Sequence, residues 1–321
     1  MYELVIQSGP KTIIKPSVED GVAWETERRD MPGKLTFTVL ADSANKFKEG
    51  NPVRFKANGK NVFYGFVFQK SRSADGRIKV LAYDQIRYLK NKDTYVFRNK
   101  TAAQIVKKLA KDYGLNLGGI SGTKKKIKSL VEDNKTLLDM IQDALDLTMD
   151  SRKELYVLFD QFGKLRLKAA AAMRIDKLLI NHDAAQDFEY NSSIDEDTYN
   201  VVKLIYNNSK KKTRDVYMAK SSKAINNWGR LQYFENLNDK KNGKKKAKAL
   251  LKLKNRVTRT LSIKGAFGDI RVRAGCSILV AVKTDDIKQS GYLLVERVAH
   301  TFGKDTHTMD LTLKGGKYFD G

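Results

Sequence analysis

Alternation of apolar and polar residues dominates the first ninety positions. Leu35, Phe37 and Val39 alternate with Lys34, Thr36 and Thr38, the period-two signature of a half-buried strand. Val53 to Ala57 runs into Asn58-Gly59, and the apolar pattern resumes from Val62 to Phe68. Asn-Gly between two such runs predicts a tight hairpin, because that turn needs positive φ at both central residues. Asp75-Gly76 predicts a second turn, into a strand over Ile78 to Tyr83. Three strands in a meander follow.

The period then changes. Thr101-Ala102-Ala103-Gln104 has the spacing of a capping box, in which hydroxyl and amide side chains satisfy orphan backbone N–H groups reciprocally. Ala102, Ile105, Val106, Leu109, Ala110 and Tyr113 share one helical face, and Gly114 stands where a left-handed C-cap belongs. A second helix is predicted from near Asn134, with Leu137, Leu138, Ile141, Ala144 and Leu145 as its apolar stripe. Leu155, Val157 and Phe159 alternate, Gln161-Phe162-Gly163 turns, and Leu165 and Leu167 return. Strand patterns resume at Val201 to Ile205, turn at Asn207-Asn208-Ser209, and return through Val216-Tyr217. A Lys-rich helix follows, whose buried side is only Ala247, Leu250 and Leu251. Four further strands are predicted at Val257 to Ile263, Ile278 to Val282, Tyr292 to Val298 and Met309 to Leu313.

The expected fold class is therefore α+β with β dominant. A first β domain spans 1–90 and an inserted α+β module 91–183. A second β domain is built from 184–219 and 257–321, and a Lys-rich loop-helix insertion occupies 220–256. The order strand, polar turn, long strand, turn, strand occurs twice, in Val53 to Ala82 and in Ser277 to Leu313, the latter with turns at Asp285-Asp286 and Gly303-Lys304-Asp305. Two β domains of related topology account for that; so would any two antiparallel meanders.

Charge changes this picture most. The 321 residues carry 61 Lys and Arg against 37 Asp and Glu, a formal net charge of +24. Of the basic residues 44 are lysine, a solvated point charge rather than the planar fork of a specific phosphate reader. They cluster at Lys124-Lys128, at Lys210-Lys212, and between Lys240 and Arg256, where nine basic residues meet no acid. Conversely, His182 to Tyr199 holds six acids and no lysine or arginine. Three readings of the Lys240–Arg256 run stand side by side: solvated surface, docking onto an acidic protein, and contact with nucleic acid. No aromatic ladder interleaves the lysines, as a single-strand binder requires. Lys240, Lys241, Lys244, Lys245, Lys246 and Lys248 are the candidate interaction residues. They face an acidic surface of a neighbouring protein, or the acidic His182–Tyr199 segment of another copy.

Other chemistry is sparse. No charge-free stretch exceeds eleven residues, so no membrane-spanning helix fits, and Leu4-Val5-Ile6 is too short for a signal peptide. A single cysteine, Cys276, precludes an internal disulfide, and a small half-buried residue is the expected role. His300 and His307 flank a turn as expected cross-strand neighbours, and Asp310 is the sole nearby third ligand, so strand-surface histidines are expected rather than a metal site. There is no Gly-x-x-x-x-Gly-Lys-Ser/Thr and no Gly-x-Ser-x-Gly. No catalytic residue, cofactor or metal is expected.

The order of several segments resembles a known family. Tyr64-Gly65-Phe66-Val67, Ile78 to Gln85, Tyr88-Leu89, Thr94 to Ala102 and Tyr113-Gly114-Leu115 are followed by Lys135 to Ile141, Leu155 to Leu158 and Gly163-Lys164-Leu165. Gly291 to His300 and Met309 to Leu313 close the series. This is similar to the XkdQ/YqbQ-like hub proteins of contractile phage tails, PBSX-like defective prophages and tail-like bacteriocins, which are themselves similar to the T-even phage baseplate hub. The resemblance implies two tube-type antiparallel β-barrel domains and a homotrimeric ring of pseudo-sixfold symmetry. Its implied partners are the tail tube protein, the spike protein and other baseplate proteins, with nucleic acid entering only as cargo through the lumen. It implies a virion or particle component assembled in the bacterial cytoplasm and not an enzyme. Some relatives carry a fused cell-wall hydrolase, for which a chain ending at Gly321 leaves no room. A nucleic-acid-binding protein using its lysine surface is the alternative function.

Overall fold

The computed structural model describes residues 2–19, 21–40, 46–152, 154–195, 197–208, 212–237, 243–283 and 288–315. Lys210, Lys211, Lys240, Lys241 and the expected Asp285-Asp286 turn lie outside them. Strand outweighs helix, 54% against 20%, so the protein is β-dominated. The chain divides into two compact units, residues 1–189 with 261–321, and residues 190–260.

The first unit opens with β1 (Tyr2–Gln7), β2 (Ile13–Ile14), β3 (Val22–Glu27), β4 (Lys34–Leu40), β5 (Pro52–Ala57), β6 (Lys60–Arg72) and β7 (Arg77–Tyr83). The meander predicted from Asn58-Gly59 and Asp75-Gly76 is present: β5 pairs with β6 and β6 with β7, both antiparallel. Asn58 and Gly59 adopt φ of 49° and 72°, the positive values the turn demands. The hydrogen-bonded order is β3-β4-β7-β6-β5-β1-β2. One face of these strands supplies a shared core of Leu4, Ile6, Trp24, Leu35, Phe37, Val53, Phe55, Phe63 and Val80.

An α+β module follows: β8 (Lys92–Thr101), α1 (Ala102–Asp112), β9 (Leu117–Ile120), β10 (Lys126–Thr136), α2 (Leu137–Arg152), β11 (Tyr156–Asp160) and β12 (Leu165–Ala169). The capping box closes on both sides, with the Gln104 N–H donating to Thr101 Oγ1 at 3.3 Å and the Thr101 N–H to Gln104 Oε1 at 2.9 Å. Ile105, Val106 and Leu109 of α1 and Leu137, Met140 and Ile141 of α2 bury in one core with Leu165 and Leu167. The second helix begins at Leu137 rather than near Asn134, because β10 extends through Thr136.

The rest of the chain forms β13 (Arg174–Asn181), β14 (Asp187–Ser193), β15 (Val201–Asn208), β16 (Thr213–Lys220), α3 (Ser222–Trp228), β17 (Gln232–Asn236), α4 (Gly243–Lys254), β18 (Thr258–Phe267), β19 (Ser277–Lys283), β20 (Lys288–Phe302) and β21 (His307–Lys314). In the 190–260 unit, β15 pairs antiparallel with β16 and parallel with β17 in a separate sheet.

The remaining strands repeat the first β assembly. Their order is β13-β19-β20-β21-β18-β14, and that of the first set is β1-β5-β6-β7-β4-β3. The correspondence also holds in chain order, 1, 3, 4, 5, 6, 7 against 13, 14, 18, 19, 20, 21. In each set the long middle strand carries a register shift against its third strand, at Val67/Gln69 and at Val295/Arg297. One strand departs: β1 meets β5 antiparallel, whereas β13 meets β19 parallel. The sets join where the edge strand β3 pairs antiparallel with the second half of β20, beyond the end of its pairing with β19.

The joined sheet is strongly coiled. β5 and β20 stand five strand spacings apart in the order, which on a flat sheet is about 24 Å. Yet the Phe55 and Phe302 rings lie 4.9 Å apart, edge to face. The edge strand β2 moreover ends only three residues before Ser17, whose carbonyl accepts from the Leu40 N–H of β4. The hydrogen-bonded path itself stays open at both ends.

Leu109 is fully buried, so Leu109→Ala should cost about 2–5 kcal/mol in urea unfolding. Thr101→Ala, which loses one cap, should cost about 1 kcal/mol. Equal and negligible losses would contradict the docking of α1.

Candidate interaction surface

In the 190–260 unit, α4 lies on the β15–β16 strands through Ala247 and Leu250, which pack with Val202, Leu204, Tyr217 and Ala219. Gly243 makes the approach close: a Cβ there would stand 2.3 Å from Tyr217 Cδ2. The lysines of the helix divide accordingly. Lys244, Lys245 and Lys248 are exposed and make no ion pair with a described residue. Lys246 is half-buried, and its Nζ donates to Glu235 Oε1 at 2.6 Å. Lys254 pairs with Asp197 and sits over the Tyr199 and Tyr233 rings at 5.6 and 5.5 Å. Of the six candidate lysines, then, three form an open charged face, one is engaged, and Lys240 and Lys241 lie outside the described residues.

The other face of the same sheet carries a feature absent from the sequence reading. Val216, Met218 and Phe234 are about half exposed, at 49, 48 and 51%. Alternation put them on one face, but only the packing of α4 on the opposite face leaves them uncovered.

His300 and His307 sit elsewhere, His307 half-buried and His300 not the surface residue its strand position suggested. His300 is fully buried at the β3–β20 junction, paired in register with Trp24 and stacked on its ring at 4.9 Å. His300 Nε2 lies 2.9 Å from the Val272 carbonyl, which can only accept, so that nitrogen carries the proton. His300 Nδ1 then accepts from His307 Nε2 at 2.9 Å. Burial and the neighbouring His307 hold the His300 pKa down to about 3. No cluster of metal-ligating side chains occurs among the described residues; Asp310 instead accepts the Gly265 N–H at 2.8 Å. Cys276 is buried rather than half-buried, and burial raises its thiol pKa to about 11, which makes it inert.

A second buried polar group ties the α+β module to the β strands. Asp84 accepts the Gly33 and Ile86 N–H groups, both at 2.9 Å. Asp160 accepts Gln85 Nε2 at 2.8 Å and the Gly163 N–H at 2.7 Å. The half-buried Arg273 donates to the Asp160 carbonyl at 2.7 Å and lies 4.1 Å over the Phe159 ring. Burial raises both carboxyl pKa values and lowers that of Arg273 to about 10. Asp84 and Asp160 are buried and their carboxylates are hydrogen-bonded chiefly to backbone, an arrangement suited to fixing elements.

The described residues thus present a charged and an apolar surface in the 190–260 unit and a coiled, duplicated sheet in the larger one. Comparison with known proteins agrees with that. A family model described as YQBQ-like matches residues 22–314. The chain belongs to the YQBQ-like family. This YQBQ-like chain is 30% identical over 305 residues to the phage-like element PBSX protein XkdQ of Bacillus subtilis (strain 168), covering 92% of this chain and 91% of that protein. Its fold matches the 43 kDa tail protein of prophage MuSo2 from Shewanella oneidensis, with TM-score 0.70, 14% identity, and 97% and 98% of the two chains covered. It also matches the E. coli c3393 protein, a type VI secretion component described as structurally similar to the T4 tail proteins gp27 and gp5. That match has TM-score 0.57, 11% identity, and coverage of 99% and 78%. The YQBQ-like chain thus shares its fold with these tail proteins.

Two outcomes follow for solution behaviour. Replacing Lys244, Lys245 and Lys248 by Gln should change stability by less than about 0.5 kcal/mol each in urea unfolding, since all three are exposed and none has an ion-pair partner among the described residues. For His300 the unfolded side chain takes up a proton near pH 6.5 while the folded one resists to about pH 3. Stability is therefore complete above pH 6.5 and falls as pH drops through that window, by up to about 1.4 kcal/mol per unit. Thermal midpoints at pH 7 and pH 5 should fall further for wild type than for His300→Gln; equal falls would show that His300 titrates normally.

Proposed function

We propose that this chain is the structural hub of a contractile tail or tail-like particle, three copies forming a pseudo-sixfold ring between a hexameric tail tube and a trimeric spike. The carrying observation is the duplication: one chain holds the same six-strand order twice. Three chains then offer six similar β units toward the tube and three equivalent chains toward the spike. In this reading the two six-strand sets are the tube-type barrel domains; the approach of Phe55 to Phe302, which coils the first set back onto β20, supports it. The role is non-enzymatic and the particle is assembled in the host cytoplasm. The 190–260 unit, with its open lysines and exposed Val216, Met218 and Phe234, is a docking surface for other baseplate proteins.

Deleting the gene from a producing cell should abolish sheathed tubes in negative-stain images, and a gold-labelled tagged copy that restores them should mark the spike-bearing end. Normal particles without the chain, or label along the tube, would contradict the proposal. The unpaired lysines support a second reading, nucleic-acid binding. It requires duplex affinity that falls by about a thousandfold or more between 50 and 200 mM salt, while a hub requires no duplex affinity for assembly.

A further inference from the structure

The sheet of the 190–260 unit has two faces. On one, Val202, Leu204, Tyr217 and Ala219 pack beneath α4. The residues that alternate with them belong to the other face, and the strand register sets them in rows. Met218 of β16 and Phe234 of β17 stand on either side of Lys203, and Val216 and Asn236 on either side of Ile205. Arg214 lies opposite Asn207 at one end of β16, and Lys220 opposite Val201 at the other.

A sheet face open to water normally carries polar residues. Here the centre of the face is Val216, Met218 and Phe234, each about half exposed, with the buried Ile205. Its charges are all of one sign. Lys203, Arg214 and Lys220 share it, and no acid occurs at the positions that alternate onto it. Asp215 and Glu235 fall on the α4 side, where Glu235 accepts from Lys246. Arg214 donates from Nε to Asn207 Oδ1 at 3.0 Å, a neutral partner.

We propose that an acidic amphipathic helix of another protein lies along this face, its apolar side on Val216, Met218 and Phe234 and its carboxylates on Lys203, Arg214 and Lys220.

The opposite face of the same strands already takes a helix, and a sheet apolar on both faces is stable as the middle of three layers. Along β16, Arg214 and Lys220 are six residues apart, about 20 Å. A helix covers that distance in about 13 residues, between three and four turns. Carboxylates near both of its ends then meet Arg214 and Lys220, and apolar residues at helical spacing between them meet the centre of the face. Three cations without an acid select such a helix against neutral and basic ones. That the helix belongs to a protein of the particle rests on the hub reading above; the sign and dimensions of the face do not.

Photo-crosslinking in assembled particles tests this. Phe234 is replaced by p-benzoylphenylalanine in the producing cell, and irradiated particles are digested and mapped by mass spectrometry. The chain should crosslink to one other protein, within a segment that has helical apolar spacing and acids near both ends. K220E, at an exposed edge position, should lower the yield about threefold. K203E/R214E/K220E should lower it about tenfold or more, with the chain still in the particle and its far-UV circular dichroism unchanged. A crosslink to this chain itself, to lipid or to a segment without acids would overturn the proposal. So would a yield that neither reversal lowers, or particles that hold the chain and give no crosslink. Each of these leaves the hub reading standing. Particles that lack the chain would overturn the hub reading, and the helix partner with it.

Discussion

Strand β20 is the element on which the rest of the larger unit depends. Its fifteen residues pair with β19 along the first half and β21 along the second, and the second half also holds β3. A strand with partners on both edges leaves few backbone groups to water and fixes the register of everything bonded to it. Here it converts two six-strand sets, far apart in sequence, into one coiled sheet. The junction is packed as well as bonded: Trp24, His300 and Phe302 stack through it, and Arg28 grips Glu296 with two 2.9 Å hydrogen bonds. Burial in this packing holds the His300 ring neutral.

The α+β module is fixed to this frame by polar groups instead. Asp84 ends the first meander, Asp160 ends β11, and Arg273 precedes β19, so three distant segments converge on one buried cluster. Removing two carboxylates and a guanidinium from water is costly, and backbone N–H donors and the Phe159 face offset that cost. Such a cluster adds little net stability, but a misplaced module would strand unpaired charge, which disfavours alternative dockings.

Local features were largely legible in the sequence. Asn58-Gly59, the capping box at Thr101, the α1 stripe and the His300–His307 neighbours all rest on interactions within a few residues, where spacing alone decides geometry. Strands β8 and β10 were not legible. Only Phe97 is buried along β8, and β10 interleaves Ile127 and Leu130 with lysines and acids, so neither shows clean alternation. The burial of His300 was hidden because its partners, Val272 and Trp24, come from remote segments. The repeated meander was visible, but not that it extends to six strands: β1, β3, β13 and β14 are matched by their partners rather than by any shared residues. Lys244, Lys245, Lys246 and Lys248 lie on α4, whose narrow apolar side was legible in the spacing, while the engagement of Lys246 by Glu235 depends on β17.

The central claim is that one chain supplies two equivalent β units to a ring. Averaged electron-microscopic density of the assembled ring, viewed down its axis, tests it most directly. The account predicts threefold symmetry with six near-equivalent β lobes at alternating small differences. A ring of six chains, or a threefold ring with only three β lobes facing the axis, would contradict it.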